Sequence, residues 1–351
     1  MRAFRLFFSL AAATSLVAQQ PPPDMPLTPA VRDAVIEASA EKIEQLYVFE
    51  EQGKKIAAAV RAAQKNGTFK DIGSALKLVP AMNRVLSATV RDKHLGFGYS
   101  NVPKTTPADA PETPAERDER IRYSRRFAYG IDGVRRLDGN VGLLTWTSFE
   151  SPDSGAGDAL AAAMTLLASS DALIIDMRDS DGGSPAMVQL LMTYFLPEGD
   201  PQQLVSIYFR STNLTKQIWS LPYVPAPRYT GKDVYVLTSD RTWSAAEGFT
   251  EHMKRLTKAV IVGETTSGGA HIAQWVNVHP NLAVKIPIAR VFDPVSGTNW
   301  EGKGVEPQIA VDEKDALKIA HLRALQALRD KAPDDDARSF LSRAIGRVEG
   351  Q

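Results

Sequence analysis

At 351 residues, with 44% apolar and 23% charged side chains, the chain has room for about two globular domains and excludes disordered, collagen-like and coiled-coil architectures. Its 41 basic groups cancel its 41 acidic groups, so no charge excess points to nucleic acid or an anionic membrane as partner. The absence of cysteine excludes disulfides, thiolate zinc sites, iron–sulfur clusters and a cysteine nucleophile.

The chain opens with Arg2 and Arg5, followed by a stretch from Leu6 to Ala18 that is apolar except for Ser9, Thr14 and Ser15. Basic then apolar is the order of a secretory leader, and the stretch is shorter than the roughly 20 residues that span a bilayer. A signal peptide over 1–18 is therefore expected, giving an exported protein, periplasmic or extracellular, that begins at Gln19. No later apolar run is long enough to span a membrane.

Gln19 to Pro26 is a Pro/Gln leader. Thr28-Pro29 then reads as an N-cap followed by proline in the first helical position. Val31, Val35, Ile36, Ile43 and Leu46 recur at helical spacing and predict a helix over 29–48. Lys54 to Gln64 predicts a second helix, stopped by Asn66-Gly67. Asp71 to Arg91 predicts a third, which Pro80 is expected to break or kink. Residues 27–95 thus read as a small N-terminal helical bundle. Residues 101–119, with Pro103, Pro107, Pro111 and Pro114, read as a Pro-rich linker.

Across 120–312 short apolar strands alternate with helices, the pattern of a layered α/β domain. Predicted strands cover Val141–Trp146, Ala172–Met177, Leu204–Phe209, Val234–Thr238, Ala259–Val262, Trp275–Val278 and Ala283–Ile288. Predicted helices cover 156–168, 185–195 and 244–257. In the remaining 313–351, Asp315 to Arg329 is a final amphipathic helix. Lys331 to Gln351 is polar, carries Asp334, Asp335 and Asp336 in a row, and is expected to be a mobile tail or a loose helix.

Several segments could carry chemistry. In VYVLTSDRTWSAAEGFTEHMKRL a strand turns into a helix near Ser244. A serine there lies beside free backbone N–H groups at the favourable end of the helix dipole, which suits a nucleophile that creates an oxyanion. Taken alone, however, Ser244 and Glu247 match a capping box. In ALIIDMRDSDGGS a strand ends at Gly182-Gly183, where the backbone can approach a ligand; taken alone this is an ordinary turn, and no GK[ST] follows to make a phosphate loop. The five histidines are His94, His252, His271, His279 and His321. None has HExxH spacing, so no metal is expected. His252 and His321 fall on polar helix faces and are expected to be solvated. Glu301, in NWEGKGVEP, reads alone as a solvated loop acid.

The order of these segments adds what no single one gives. DKHLGFGY, GNVGLLTWTSF, ALIIDMRDSDGGS, VYVLTSDRTWSAAEGF, AVIVGETTSGGAH and WEGKGVEPQIAV together resemble the C-terminal processing (tail-specific) serine peptidases. Within them the likeness is to the branch of the tricorn protease core and interphotoreceptor retinoid-binding protein, over residues 28–312. The resemblance implies a crotonase-like α/β core of ββα units over 120–312, preceded by the helical bundle. Many relatives carry a PDZ domain between the two, but the short linker here leaves room for none. It also implies Ser244 as nucleophile, His94 as base and Glu301 as the partner of the base. The backbone N–H groups of Ala245 and of Gly182 or Gly183 would form the oxyanion hole. Gly268, Gly269 and His271 are candidates for substrate contact. The implied reaction is hydrolysis of a protein or peptide through an acyl-enzyme, with no cofactor.

Two departures matter. Gly269 stands where one branch of the family has its lysine base, so a Ser–Lys dyad is absent. Lys93 stands where the tricorn-type relay has a second serine, which leaves open whether Glu301 reaches His94 directly, through a hydroxyl or through a water. If residues 93 and 94 are strand-like, their side chains point apart. An unperturbed imidazole base would give an acid limb at roughly pH 6–7.5. The rival reading is a catalytically silent binding protein for an apolar ligand or a peptide on the same fold.

Overall fold

The computed structural model describes residues 23–104 and 112–350. The expected signal peptide and the middle of the expected linker lie outside the described residues. Three helices come first: α1 (Pro29–Leu46), α2 (Glu50–Lys65) and α3 (Ala75–Thr89). Thr28 caps α1 by accepting the Val31 N–H, and Ser74 caps α3 through the Lys77 N–H. Contrary to the expected break, α3 continues through Pro80. Proline removes one backbone donor, but Leu78, Ala81, Met82 and Leu86 around it are buried, and that packing outweighs the missing bond.

The order then runs β1 (Gly96–Tyr99), α4 (Pro114–Arg126), β2 (Ile131–Leu137), β3 (Val141–Trp146), α5 (Ala156–Leu167), β4 (Ala172–Asp176) and α6 (Pro185–Thr193). It continues with β5 (Gln203–Phe209), β6 (Leu214–Trp219), β7 (Asp233–Thr238), α7 (Ala245–Leu256), β8 (Val260–Gly263), β9 (His271–His279) and β10 (Leu282–Phe292). Last come β11 (Ile309–Ala310), α8 (Glu313–Asp330) and α9 (Asp335–Glu349). No helix among the described residues is long and apolar enough to cross a membrane.

Two sheets organise these elements. The first has the order β11-β8-β7-β4-β3-β2, parallel except for the antiparallel edge strand β2. Every residue of β4 is buried, as a parallel strand covered on both faces requires. Leu173 and Ile175 point to the side of α5, α6 and α7, where Leu160, Met187 and Phe249 meet them. Ala172 and Ile174 point the other way, onto Ala320 and Ala324 of α8. The second sheet is antiparallel, with order β1-β10-β5-β6 and β9 also paired to β10. It closes the core of the helical region: Phe97, Leu282, Val284 and Ile286 pack with Ile36, Ile43, Leu78 and Leu86.

Three expectations need correction. The linker over 101–119 ends in a helix, because Thr113 and Glu116 form a capping box with Pro114 in the first turn of α4. Arg120 and Ser124 then tie α4 to Asp153 and Ser154. Of the two alternatives for the polar C-terminal segment the helix holds, but α9 (Asp335–Glu349) is docked rather than loose. Asp334 caps it, and Leu341, Ala344, Ile345 and Val348, spaced three or four apart, are buried against α8 and the first sheet. His252 and His321 are buried rather than solvated. His252 meets Glu251 through Nδ1, and His321 meets the Asp138 carbonyl through Nε2.

The packing of α9 has a measurable consequence. Leu341→Ala and Ile345→Ala are each expected to lower the stability of the full chain by about 2–4 kcal/mol in denaturant titrations. Phe340→Ala, on the exposed face of the same helix, should change it by less than about 0.5 kcal/mol. Equal, small effects at all three positions would mean that α9 is not docked in solution.

Candidate active site

Ser244 sits at the N-terminus of α7, reached from β7 through the turn 239–243. Its backbone is at φ 53 and ψ −113, a left-handed conformation that costs a non-glycine residue roughly 1–3 kcal/mol. Its surroundings enforce that geometry. The Ser244 N–H donates to Glu247 Oε2 at 2.8 Å, the Trp243 N–H to the Ser180 carbonyl at 2.9 Å, and Thr242 Oγ1 to the Met177 carbonyl at 2.9 Å. The loop after β4 lies so close that a Cβ on Gly182 would stand 2.6 Å from the Trp243 carbonyl oxygen and 2.7 Å from the Ala245 nitrogen. Only glycine fits there.

The loop between α3 and β1 brings His94 to this turn, with Nε2 3.2 Å from Ser244 Oγ. The imidazole stacks on the indole of Trp243, with centroids 4.5 Å apart and planes at 26°. The His94 backbone N–H donates to Asp92 Oδ1 at 2.9 Å. Burial, helped by the nearby charge of Lys285, pushes His94 down to about 4, while Asp92 pulls the other way. Its Nδ1 is buried with no partner among the described residues, and so is Glu301 Oε1. One ring nitrogen of His94 and one oxygen each from Asp92 and Glu301 lie within 4.8 Å of one another. Glu301 thus shares the pocket of the imidazole without a direct hydrogen bond to it. Lys93 supplies no hydroxyl relay.

Glu301 is anchored through its other oxygen, which accepts the Ala270 N–H at 2.6 Å and the His271 N–H at 3.3 Å. Burial pushes its carboxyl up, against the opposing pull of His271. Asp92 is the hub of a second network. Its Oδ2 accepts from Tyr47 Oη at 2.8 Å and faces His271 Nδ1 at 2.8 Å. Burial pushes Asp92 up as well, but the hydrogen bonds from His271, Tyr47 and the His94 N–H outweigh it, and the carboxyl stays below its ordinary range.

The turn before β9 explains the missing lysine. A Cβ on Gly269 would fall 2.2 Å from the indole of Trp243, so the ring that stacks on His94 occupies the space a side chain at 269 would need. Lys93 and His94 lie in a turn rather than a strand, and both reach this indole instead of diverging. The Lys93 ammonium stands 5.8 Å from the ring centroid and donates to the Ser267 carbonyl and Oγ.

A cavity of about 440 Å³ opens in front of Ser244, with His94, Gly183, Ala245 and His271 on its wall and a mostly apolar lining beyond them. Gly182 and Gly268 are not on that wall. Gly182 lies behind the nucleophile, and its carbonyl accepts the Phe149 N–H. The N–H groups of Gly268 and Gly269 are taken by Glu247, and the Gly269 carbonyl by Trp300 Nε1, so neither glycine has an amide hydrogen free for substrate. Sequence reasoning missed Asp92, Tyr47, Trp243 and Lys285. Asp92 and Trp243 carry a local signal, two residues before His94 and one before Ser244 in the quoted motifs.

The family models point to one family, and solved structures share the fold. The model of peptidase family S41 matches residues 140–311, and the model for the N-terminal domain of Peptidase S41 in eukaryotic IRBP matches residues 27–128. The carboxy-terminal processing protease CtpA of Bacillus subtilis (strain 168) is 24% identical over 189 residues, 53% of this chain. The match spans only 38% of that curated relative's length. A lipoprotein from Streptococcus agalactiae shares the fold with a TM-score of 0.55 at 14% identity, over 86% of this chain and 99% of that one. The photosystem II D1 C-terminal processing protease gives 0.53 at 14% identity, over 81% and 93%. With a mixed α/β core of the ClpP/crotonase-like type behind an N-terminal helical region, this chain belongs to peptidase family S41, the serine-type peptidases, and carries the IRBP-type N-terminal domain.

Proposed function

We propose that this chain is an exported serine peptidase that hydrolyses peptide bonds through an acyl-enzyme on Ser244. The observation that carries the reading is the 3.2 Å approach of His94 Nε2 to Ser244 Oγ on the wall of a cavity. Ser244 Oγ attacks the peptide carbonyl while His94 Nε2 takes its proton. The N–H groups of Ala245 and Gly183, both on the cavity wall, hold the oxyanion; Gly182 serves by its close approach to the turn. His94 returns the proton to the leaving amine, then activates the water that releases the acyl group. For Nε2 to accept, Nδ1 must carry the hydrogen. The carboxylates of Glu301 and Asp92 beside the ring stabilise the imidazolium as it forms.

The rival reading, a silent binding protein, draws on the apolar wall formed by Val188, Leu204, Ile207 and Val291. A fluorophosphonate reagent separates the two. Labelling of Ser244 in the wild type and its loss in His94→Ala support the enzyme; an unreactive Ser244 would leave the binding protein. The leader supports export, and N-terminal sequencing of the recovered protein is expected to begin at Gln19. Met1 on cytoplasmic protein would refute this.

Ser244→Ala is expected to lower kcat/KM by about 10^4-fold or more, and His94→Ala comparably, whereas Lys93→Ala keeps most of the activity. Glu301→Gln should reduce kcat more than it raises KM. Because burial holds His94 low, the base is already neutral in the ordinary working range. The acid limb of kcat/KM is thus expected at about 4 rather than at 6–7.5, with activity lost as pH falls through it.

The Trp243–Gly269 contact predicts a coupling. Gly269→Ala should destabilise the protein by about 1–3 kcal/mol and depress kcat by displacing the indole from His94. In Trp243→Leu the same added methyl should cost less, so the double mutant should fall short of the sum in thermal unfolding.

A further inference from the structure

Lys285 lies on β10, in register with Gly96 of β1 and Trp275 of β9. Its half-buried side chain is on the wall of the cavity that holds Ser244 and His94. Burial holds its ammonium below the ordinary range, and its charge is near enough to depress His94. Asp92 is the acid that acts on it, yet the oxygens of Asp92 are taken by the His94 N–H, Tyr47 and His271. Among the described residues no carboxylate forms an ion pair with Lys285; the pairs of this region are His271 with Asp92 and Glu301. Lys93, the other cation of the site, is engaged by Ser267.

A partly desolvated ammonium without a directly paired carboxylate is unfavourable, and the apolar part of the cavity lining, which includes Val205, Ile207, Ile218 and Val291, has no acceptor to offer it. We propose that Lys285 is a substrate-recognition residue: its ammonium pairs with a carboxylate of the bound peptide while the apolar wall takes a neighbouring side chain. The carboxylate is either the free C-terminus of the peptide or an aspartate or glutamate close to the scissile bond. This deepens the peptidase reading and rests on it for the identity of the bound molecule.

The test uses the full chain and variants of one apolar peptide. One arm compares a free C-terminal carboxylate with an amide; the other compares glutamate with glutamine scanned through the sequence. Binding is measured by calorimetry to Ser244→Ala, with and without Lys285→Met, and turnover with wild type. A carboxylate in one arm is expected to improve binding and kcat/KM by about 10- to 100-fold, the range of a charge-assisted hydrogen bond. Lys285→Met should abolish that preference and Lys285→Arg should retain most of it. The arm that responds identifies the source of the carboxylate. Equal treatment of all peptides by wild type, a preference that survives Lys285→Met, or a uniform loss across all peptides in that variant each overturns the proposal. Carboxylate-selective binding without any turnover would instead uphold Lys285 and overturn the peptidase reading.

Discussion

The buried carboxylate of Glu247 accepts four hydrogen bonds, and the geometry of both Ser244 and His94 depends on them. Its donors are the Ser244 N–H, Thr266 Oγ1, and the N–H groups of Gly268 and Gly269. Burial pushes the carboxyl up, and these donors pull against that shift. An isolated charge so far from water would be prohibitive, so the carboxylate holds its donors as firmly as they satisfy it. One of them fixes the left-handed backbone of Ser244. The others fix the glycine turn whose bare Cα leaves room for Trp243, and the indole in that room stacks on His94. The next two N–H groups along the chain, of Ala270 and His271, go to Glu301. A single turn thereby divides its amides between two acids with different duties.

The site lies where the two sheets meet. Ser244 follows β7, and the glycine pair follows β4, both at the carboxyl ends of parallel strands, where open α/β sheets place their ligands. His94 comes from the opposite side, on the loop that leads into β1 of the antiparallel sheet. The helical region does more than precede the core: Tyr47, in the turn after α1, holds Asp92, which in turn anchors the His94 backbone and His271.

What could be read from the sequence follows from which interactions are local. Helical spacing was enough for α1 and α8, and apolar runs for β3, β4, β7 and β8, because their burial follows chain periodicity. Six motifs in order were enough to single out Ser244 and His94. The edge strand β6, mostly exposed along LTKQIW, has no such pattern. The four buried apolar residues of α9 are interleaved with charges, so its docking could not be read, and the cap at Thr113 was masked by the prolines around it. The ambiguity of Ser244 and Glu247 dissolves in three dimensions. Glu247 does cap the helix start, and the same bond presents the hydroxyl to His94. Lys285 lies in none of the six motifs, and Trp243, although inside one, shows its role only through contacts with His94 and Gly269 from distant segments.

His94 and Ser244 are separated by 150 residues, His94 on the loop that leads into the antiparallel sheet and Ser244 just after a strand of the parallel one. A chain that has formed only its parallel layer holds a serine on a strained turn with no base in reach. One that has formed only its helical layer holds an imidazole with no hydroxyl beside it. The contact between Ser244 and His94 therefore requires both layers to be docked, and it is lost when they separate. On the peptidase reading proposed above, an unfolded chain holds no assembled site and needs no inhibitor to keep it inert.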